Sequence, residues 1–254
     1  MLIPAGNPSL WTGPTGTNTY LLTGRVPTLI DAGVGQRAHV DAVAGALEGR
    51  ELAAVLLTHS HSDHASGVPA VLERWPRAIV RPPAAPLADG EVIEAGDRHL
   101  RALYTPGHAP DHFCFADDER REVYCGDLLR LGGTVVIPAS RGGDLMAYLA
   151  SLARIRALAP SRIWPGHGPA IDDVEALIAQ YLAHRQEREQ QVLDALRAGH
   201  QTPEEMVPSI YGRLPSALLA GAADSLLAHL KKLEAEGGAI FEDQRWRLVR
   251  SARL

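Results

Sequence analysis

Two cysteines, Cys114 and Cys125, are all that the 254 residues contain, so a disulfide framework is excluded. Both fall in expected strands and read as small buried apolar side chains. Positive charge is also short. The 25 Lys and Arg against 30 Asp and Glu leave a formal net charge of −5, which excludes a broad nucleic-acid footprint though not a local basic patch. No apolar run approaches the ~20 residues of a membrane span. Met1-Leu2-Ile3-Pro4 lacks the basic start and apolar core of a signal peptide. These absences predict a chain that meets no membrane and works in a reducing cytoplasm. Aromatic residues are only 5%, yet the hydrophobic share of 46% is ordinary for a globular chain. At this length about 70% of the unfolded surface can be buried, so no covalent staple is needed.

Strand-like and helix-like stretches interleave from Thr17 to about Ala170, which predicts helices packed on sheet faces. Thr19–Leu22, Thr28–Ile30 and Ala54–Leu57 read as buried strands, and 36–48 as a helix with Val40, Val43, Ala44 and Leu47 on one face. Ser66 reads as the N-cap of a helix running to about Trp75. Short strands follow over 78–104, broken at Pro82-Pro83, and at 113–115, 123–125 and 162–164, with a helix over 144–158. Composition shifts near Asp172. Beyond it come a long charged helix, a short helix capped by Thr202 with Pro203 at its first position, a helix over 216–236, and a hairpin over 239–249. That predicts two domains, 1–172 and 173–254, the second resembling a winged helix.

Histidine is what the chain has in plenty: 11 residues, five of them in a pattern. His59, His61, Asp63 and His64 follow directly on an apolar strand. Residues two apart in an extended loop project the same way, so His59 and His61 can clamp one cation. Asp63 and His64 can hold a second. Loop neighbours cannot enclose an ion alone, and three further donors stand beside glycine at expected strand ends: His108, Asp127 and His167. The spacing predicts His59, His61 and His108 on one metal, Asp63, His64 and His167 on another, and Asp127 bridging them. Imidazole with carboxylate suits zinc first, with manganese or iron as alternatives. A water shared by two such cations is acidified toward a pKa of ~7, and Asp63 is placed to orient it or take its proton. His112, four residues past His108, is expected either to orient a ligand or to touch substrate. Asp31 is expected either to brace the histidine loop or to serve a plain turn.

Thr58 to His64, Pro106-Gly107-His108, Gly126-Asp127 and Pro165-Gly166-His167-Gly168 together resemble the metallo-β-lactamase-fold hydrolase superfamily. The resemblance implies an α/β chain folded as a four-layer αββα sandwich, with a dinuclear metal site at one sheet edge. Gly16 to Leu21, Leu103 to His108 with Asp111-His112, Trp164 to Pro169, and His229 to Glu234 are similar to the β-lactamase-like protein 2 branch. That branch carries a C-terminal winged-helix-like domain. It includes an animal endoribonuclease acting on single-stranded RNA and fungal thioesterases releasing polyketides from carrier proteins. A true β-lactamase is disfavoured, because Asp127 stands where those enzymes carry Cys or Ser.

Three functions follow as expectations. The first is a metal-dependent phosphodiesterase on single-stranded RNA, with Lys231, Lys232, Arg245, Arg247, Arg250 and Arg253 as a basic patch and Trp246 stacking on a base. The second is a thioesterase, lactonase or glyoxalase II-like hydrolase of a small acyl ester or thioester, with the C-terminal part covering the cleft. The third is a metal-sensing winged-helix binding protein. Substrate pockets would come from loops 11–16 and 131–143.

Overall fold

A computed structural model describes residues 1–82 and 87–249. Pro83 of the expected turn, and Arg250 and Arg253 of the expected basic patch, lie outside the described residues. Two five-stranded sheets form the first part. One runs in the order β1 (Leu2–Pro4), β2 (Asn18–Leu22), β3 (Thr28–Ile30), β4 (Ala54–Leu56), β5 (Ile79–Arg81). Its first three strands are antiparallel, and β3, β4 and β5 are parallel. The other contains β6 (Val92–Ala95), β7 (Arg98–Tyr104), β8 (Phe113–Asp117), β9 (Glu122–Gly126) and β10 (Arg162–Pro165), in the spatial order β10-β9-β8-β7-β6. Only β10 joins it in parallel.

Successive strand residues face opposite sides, and both sides are covered, which is why the strands read as unbroken apolar runs. Tyr20, Leu22, Ile30 and Leu56 meet Leu100, Ala102, Phe115 and Tyr124 between the sheets. Their neighbours Leu21, Leu29 and Val55 turn outward onto Val40, Val43 and Leu47 of α1 (Arg37–Leu47) and Val71 of α3 (Val68–Arg74). On the far side, Leu103, Cys114, Val123 and Cys125 meet Tyr148, Leu152 and Ile155 of α4 (Leu145–Ala157). The layers are therefore helix, sheet, sheet, helix, as expected.

The helix expected from Ser66 is two pieces. The short α2 (Ser62–Ala65) starts directly after His61, and α3 follows with Gly67 at its N-cap and no capping side chain. Ser66 instead donates its hydroxyl back to the Ser62 carbonyl. The break lies where the chain presses on β3's exit: a Cβ on Gly67 would stand 2.1 Å from the Ala32 carbonyl oxygen. That close approach leaves room for glycine alone.

The C-terminal part holds α5 (Val174–Arg197), α6 (Pro203–Tyr211), α7 (Ser216–Ala235) and the hairpin β11 (Ala239–Glu242) and β12 (Arg245–Leu248). Thr202 and Glu205 make the reciprocal capping box of α6. Asp243 and Gln244, both at positive φ, form a two-residue hairpin turn. α5 serves two cores. Leu177, Ile178 and Tyr181 pack with the α4 layer, whereas Val192, Ala195 and Leu196 pack with Met206, Leu226, Leu230 and Trp246. Trp246 is 4% exposed and lies against Phe241 at 4.7 Å, so it fills this core and offers no face to a base. Lys231 donates to the Ala139 carbonyl, Lys232 pairs with Glu189 and Glu236, and Arg245 donates to Gln201. Three of the cations expected in a basic patch are thus engaged within the molecule.

Candidate metal centre

Every residue expected in the site except His112, which directly precedes β8, lies at the carboxyl end of a strand. β3 delivers Asp31, β4 leads into 58–64, β7 into His108, β9 into Asp127 and β10 into His167. Strand ends that converge on one edge of a layered sheet make a natural ligand crevice. Two glycines let the loops close on one another. A Cβ on Gly126 would lie 2.7 Å from Thr58 Oγ1, and one on Gly166 would lie 2.7 Å from His64 Cε1 and 2.8 Å from Asp127 Oδ1.

The structure brings all seven expected ligands together. His61 Nδ1 is 3.0 Å from His59 Nε2 and 2.8 Å from His108 Nε2. Asp63 Oδ2 is 3.2 Å from His167 Nε2 and 3.5 Å from His64 Nε2. Asp127 lies between the two groups. Its Oδ2 is 3.5 Å from His108 Nε2, and its Oδ1 is 3.4 Å from His64 Nε2 and 3.3 Å from His167 Nε2. Donor atoms of His59/His61/His108, of His59/His64/Asp127, and of Asp63/His64/His167 lie within 4.8 Å of one another in each set.

The outward nitrogen of four imidazoles is spoken for, which fixes each ring's tautomer. His59 Nδ1 donates to Thr58 Oγ1, which donates in turn to Asp31. His64 Nδ1 donates to Asp31 Oδ2 at 2.7 Å, and Asp31 also accepts from the Thr58 backbone N–H at 2.8 Å. His108 Nδ1 donates to the Val136 carbonyl at 2.8 Å, and His167 Nδ1 approaches that of Gly16 at 3.5 Å. Asp31, 2% exposed and at φ 60°, is therefore a brace for the histidine loop. His112 is fully buried and out of reach of a substrate. Its Nδ1 donates to Thr105 Oγ1, and its Nε2 accepts from the Asp127 backbone N–H at 3.2 Å. Thr58, Thr105 and Gly16 fall inside the quoted motifs without a role of their own, and Val136 carries no signature in the sequence. Thr58 and Thr105 could have been found only as hydroxyls adjoining the histidine motifs.

These donors fit divalent cations. With their Nδ1 protons committed elsewhere, His59 and His108 both aim lone pairs at His61 Nδ1, and one proton there cannot satisfy both. His64 Nε2 is buried without a hydrogen-bond partner and faces the two carboxylates. Nitrogen and oxygen donors in this mixture suit zinc, manganese or iron.

The two halves differ in charge. Burial pushes His59 well below its ordinary pKa, and burial with the neighbouring His108 brings His61 to about 4. Burial also lowers His108. On the other side burial works against the imidazolium, but Asp31 and Asp127 outweigh it and hold His64 well above its usual value. Burial likewise opposes charge on His167, and Asp127 with Asp63 raises it to about 9. Burial alone would raise Asp127, yet His167 and His64 hold it well below the carboxylate range. A metal ligand must be neutral imidazole. At pH 7 the His64/His167 side, whose pKa values are raised, is therefore expected to release more protons on taking up a cation than the His59/His61/His108 side, whose values are lowered. Affinity on the proton-bearing side should climb as pH rises toward 9. Calorimetric titration of metal-free protein in two buffers of different ionisation enthalpy checks this, and equal proton release from both steps would contradict it.

Residues 12–88 and 76–167 match the metallo-beta-lactamase superfamily, and residues 202–246 match the beta-lactamase associated winged helix domain. An atrochrysone carboxyl ACP thioesterase of Aspergillus chevalieri is 36% identical over 269 residues, covering 96% of this chain and 85% of that protein. A metallo-beta-lactamase family protein from Thermus thermophilus has the same fold over 98% of both chains, at a TM-score of 0.78 and 24% identity. A protein solved in a di-iron-bound form covers 69% of this chain and 98% of its own, at a TM-score of 0.55 and 29% identity. Among the described residues no helix is long and apolar enough to cross a membrane.

Proposed function

The chain belongs to the metallo-beta-lactamase superfamily, and from that premise we propose that it is a dinuclear metal-dependent hydrolase of acyl thioesters. The observation that carries the substrate class is the likeness, over 96% of the chain, to a protein named as a thioesterase acting on an acyl carrier protein. His59, His61 and His108 would hold one cation, Asp63, His64 and His167 the other, and Asp127 would offer one carboxylate oxygen to each. Zinc is the first expectation for both. Bound there, divalent cations acidify water and polarise a carbonyl oxygen.

The remaining work belongs to the chain. Asp63, half-buried with Thr17 Oγ1 3.4 Å from its Oδ2, orients the attacking water and receives its proton. The water oxygen bonds to the thioester carbonyl carbon, the carbon–sulfur bond breaks, and the sulfur leaves as thiolate. Asp31 and His112 hold still the groups that surround this event, the one through His64 and the other through the Asp127 backbone.

An RNA phosphodiesterase would use the same centre on phosphorus, but backbone phosphates are gripped by free Lys and Arg. The net charge is −5, and Lys231, Lys232 and Arg245 are occupied by partners of this chain. A zinc-loaded protein given an acyl-CoA, an acyl carrier protein thioester, a fluorogenic single-stranded RNA and bis-p-nitrophenyl phosphate separates the readings. Thiol release from the thioesters, abolished by a chelator, with the RNA intact, is the expected outcome. RNA cleavage with untouched thioesters would overturn it.

A further inference from the structure

Arg185, on α5, is 4% exposed and has no carboxylate within ion-pair distance among the described residues. A buried guanidinium without a counter-charge is costly. Its Nε is buried without a hydrogen-bond partner, and two of its other contacts lead toward one metal ligand. Nη2 donates to the Val135 carbonyl at 2.5 Å, and the next carbonyl in the chain, that of Val136, accepts from His108 Nδ1 at 2.8 Å. The guanidinium carbon also lies 5.2 Å from the centre of the Tyr148 ring. Tyr148 supports the same ligand from behind: its backbone presses on Gly107, where a Cβ would come within 2.3 Å of Tyr148 Cα.

The rest of that loop is held from the same direction. Tyr181 of α5 bonds both backbone groups of Arg130. From α7, Asp224 accepts from the Ser140 N–H at 3.0 Å, and Lys231 donates to the Ala139 carbonyl at 2.8 Å. Loop 131–143 is thus slung from helices of the C-terminal part. Among the described residues, no comparable bond runs from α5, α6 or α7 to Asp63, His64 or His167.

We propose that Arg185 is a positioning residue for His108. By fixing the Val135 carbonyl it aims the Val136 carbonyl at His108 Nδ1, holds that ring with Nε2 toward the metal, and so lets the C-terminal helices set the affinity of the His59/His61/His108 position alone. The proposal rests on the two-cation reading above. Loss of an outer partner of a ligating histidine weakens metal binding by about 10- to 100-fold.

The test is a competitive zinc titration of the full chain against a chromophoric chelator. His61→Ala and His167→Ala mark which binding step belongs to which position. Arg185→Met keeps the buried stem and removes the donor, and Arg185→Lys keeps one charged donor. Arg185→Met should weaken the step that His61→Ala removes by about 10- to 100-fold while leaving the His167→Ala step within about twofold, and Arg185→Lys should recover part of the loss. Equal weakening of both steps, or none, in variants with wild-type circular dichroism overturns the proposal. Should Arg185→Met not fold, an unchanged first step in Arg185→Lys overturns it equally. A wild-type chain that takes up fewer than two zinc ions counts against the two-cation reading itself and is thereby told apart.

Discussion

Asp127→Ala is expected to lower hydrolysis on the order of 10³-fold and to leave fewer than two metal ions per chain. The carboxylate reaches three imidazoles at 3.3–3.5 Å, one oxygen to each side. On the proposed assignment, taking it away removes the group shared by both positions. It also removes the negative charge that steadies His64 and His167 as neighbouring cations in the metal-free state. The fold should survive. His112 accepts from the backbone N–H of residue 127, which alanine retains, and the Asp127 side chain is 15% exposed at the crevice wall. Elemental analysis beside turnover measurement checks the result. An Asp127→Ala protein with two metals and full activity would end the bridging assignment.

The second large effect is expected at Asp31. This carboxylate accepts from the Thr58 backbone and hydroxyl and from His64 Nδ1, all out of contact with solvent. Alanine there leaves those donors without an acceptor and the His64 charge without its partner, at a cost of about 3–5 kcal/mol. Alanine also fits poorly at φ 60°. Asparagine separates folding from metal binding. It tolerates the left-handed backbone and keeps one acceptor for Thr58. Its amide N–H then points at His64 Nδ1, which drives the imidazole proton to Nε2, the atom meant for the cation. Asp31→Asn, which keeps the acceptor for Thr58 but gives up the pairing with the His64 charge, should denature between the wild type and Asp31→Ala and bind zinc at the Asp63/His64/His167 position about 10- to 100-fold more weakly. Wild-type affinity at both positions in a folded Asp31→Asn protein would mean that the brace does not set the tautomer.

Much of this was legible in the chain itself. Strands buried on both faces write continuous apolar runs, and candidate ligands gathered in one loop stand close together in the chain, so 54–64 shows both at once. The convergence of His108, Asp127 and His167 followed from strand ends marked by glycine. What escaped reading has a common cause. Val136 acts through a carbonyl that every residue owns, so its bond to His108 leaves no trace in the letters. Arg185 lies in the long charged helix, where nothing in the pattern marks it as buried, and it is enclosed by contacts with the Val135 carbonyl and the Tyr148 ring. Ser66 looked like a cap by type. Position was decided instead by the pressure of Gly67 on the Ala32 carbonyl, a contact between segments far apart in sequence.

The 24-residue α5 is about 36 Å long at ~1.5 Å per residue, and it is cemented at one end among the α4 side chains and at the other around Trp246. A continuous helix shared by both cores couples them, so a shift of one strains the packing of the other. At the rim, the 9–16 turn carrying Trp11 meets α7 at Gly221, and Arg130 beside the suspended loop donates to the Trp11 carbonyl.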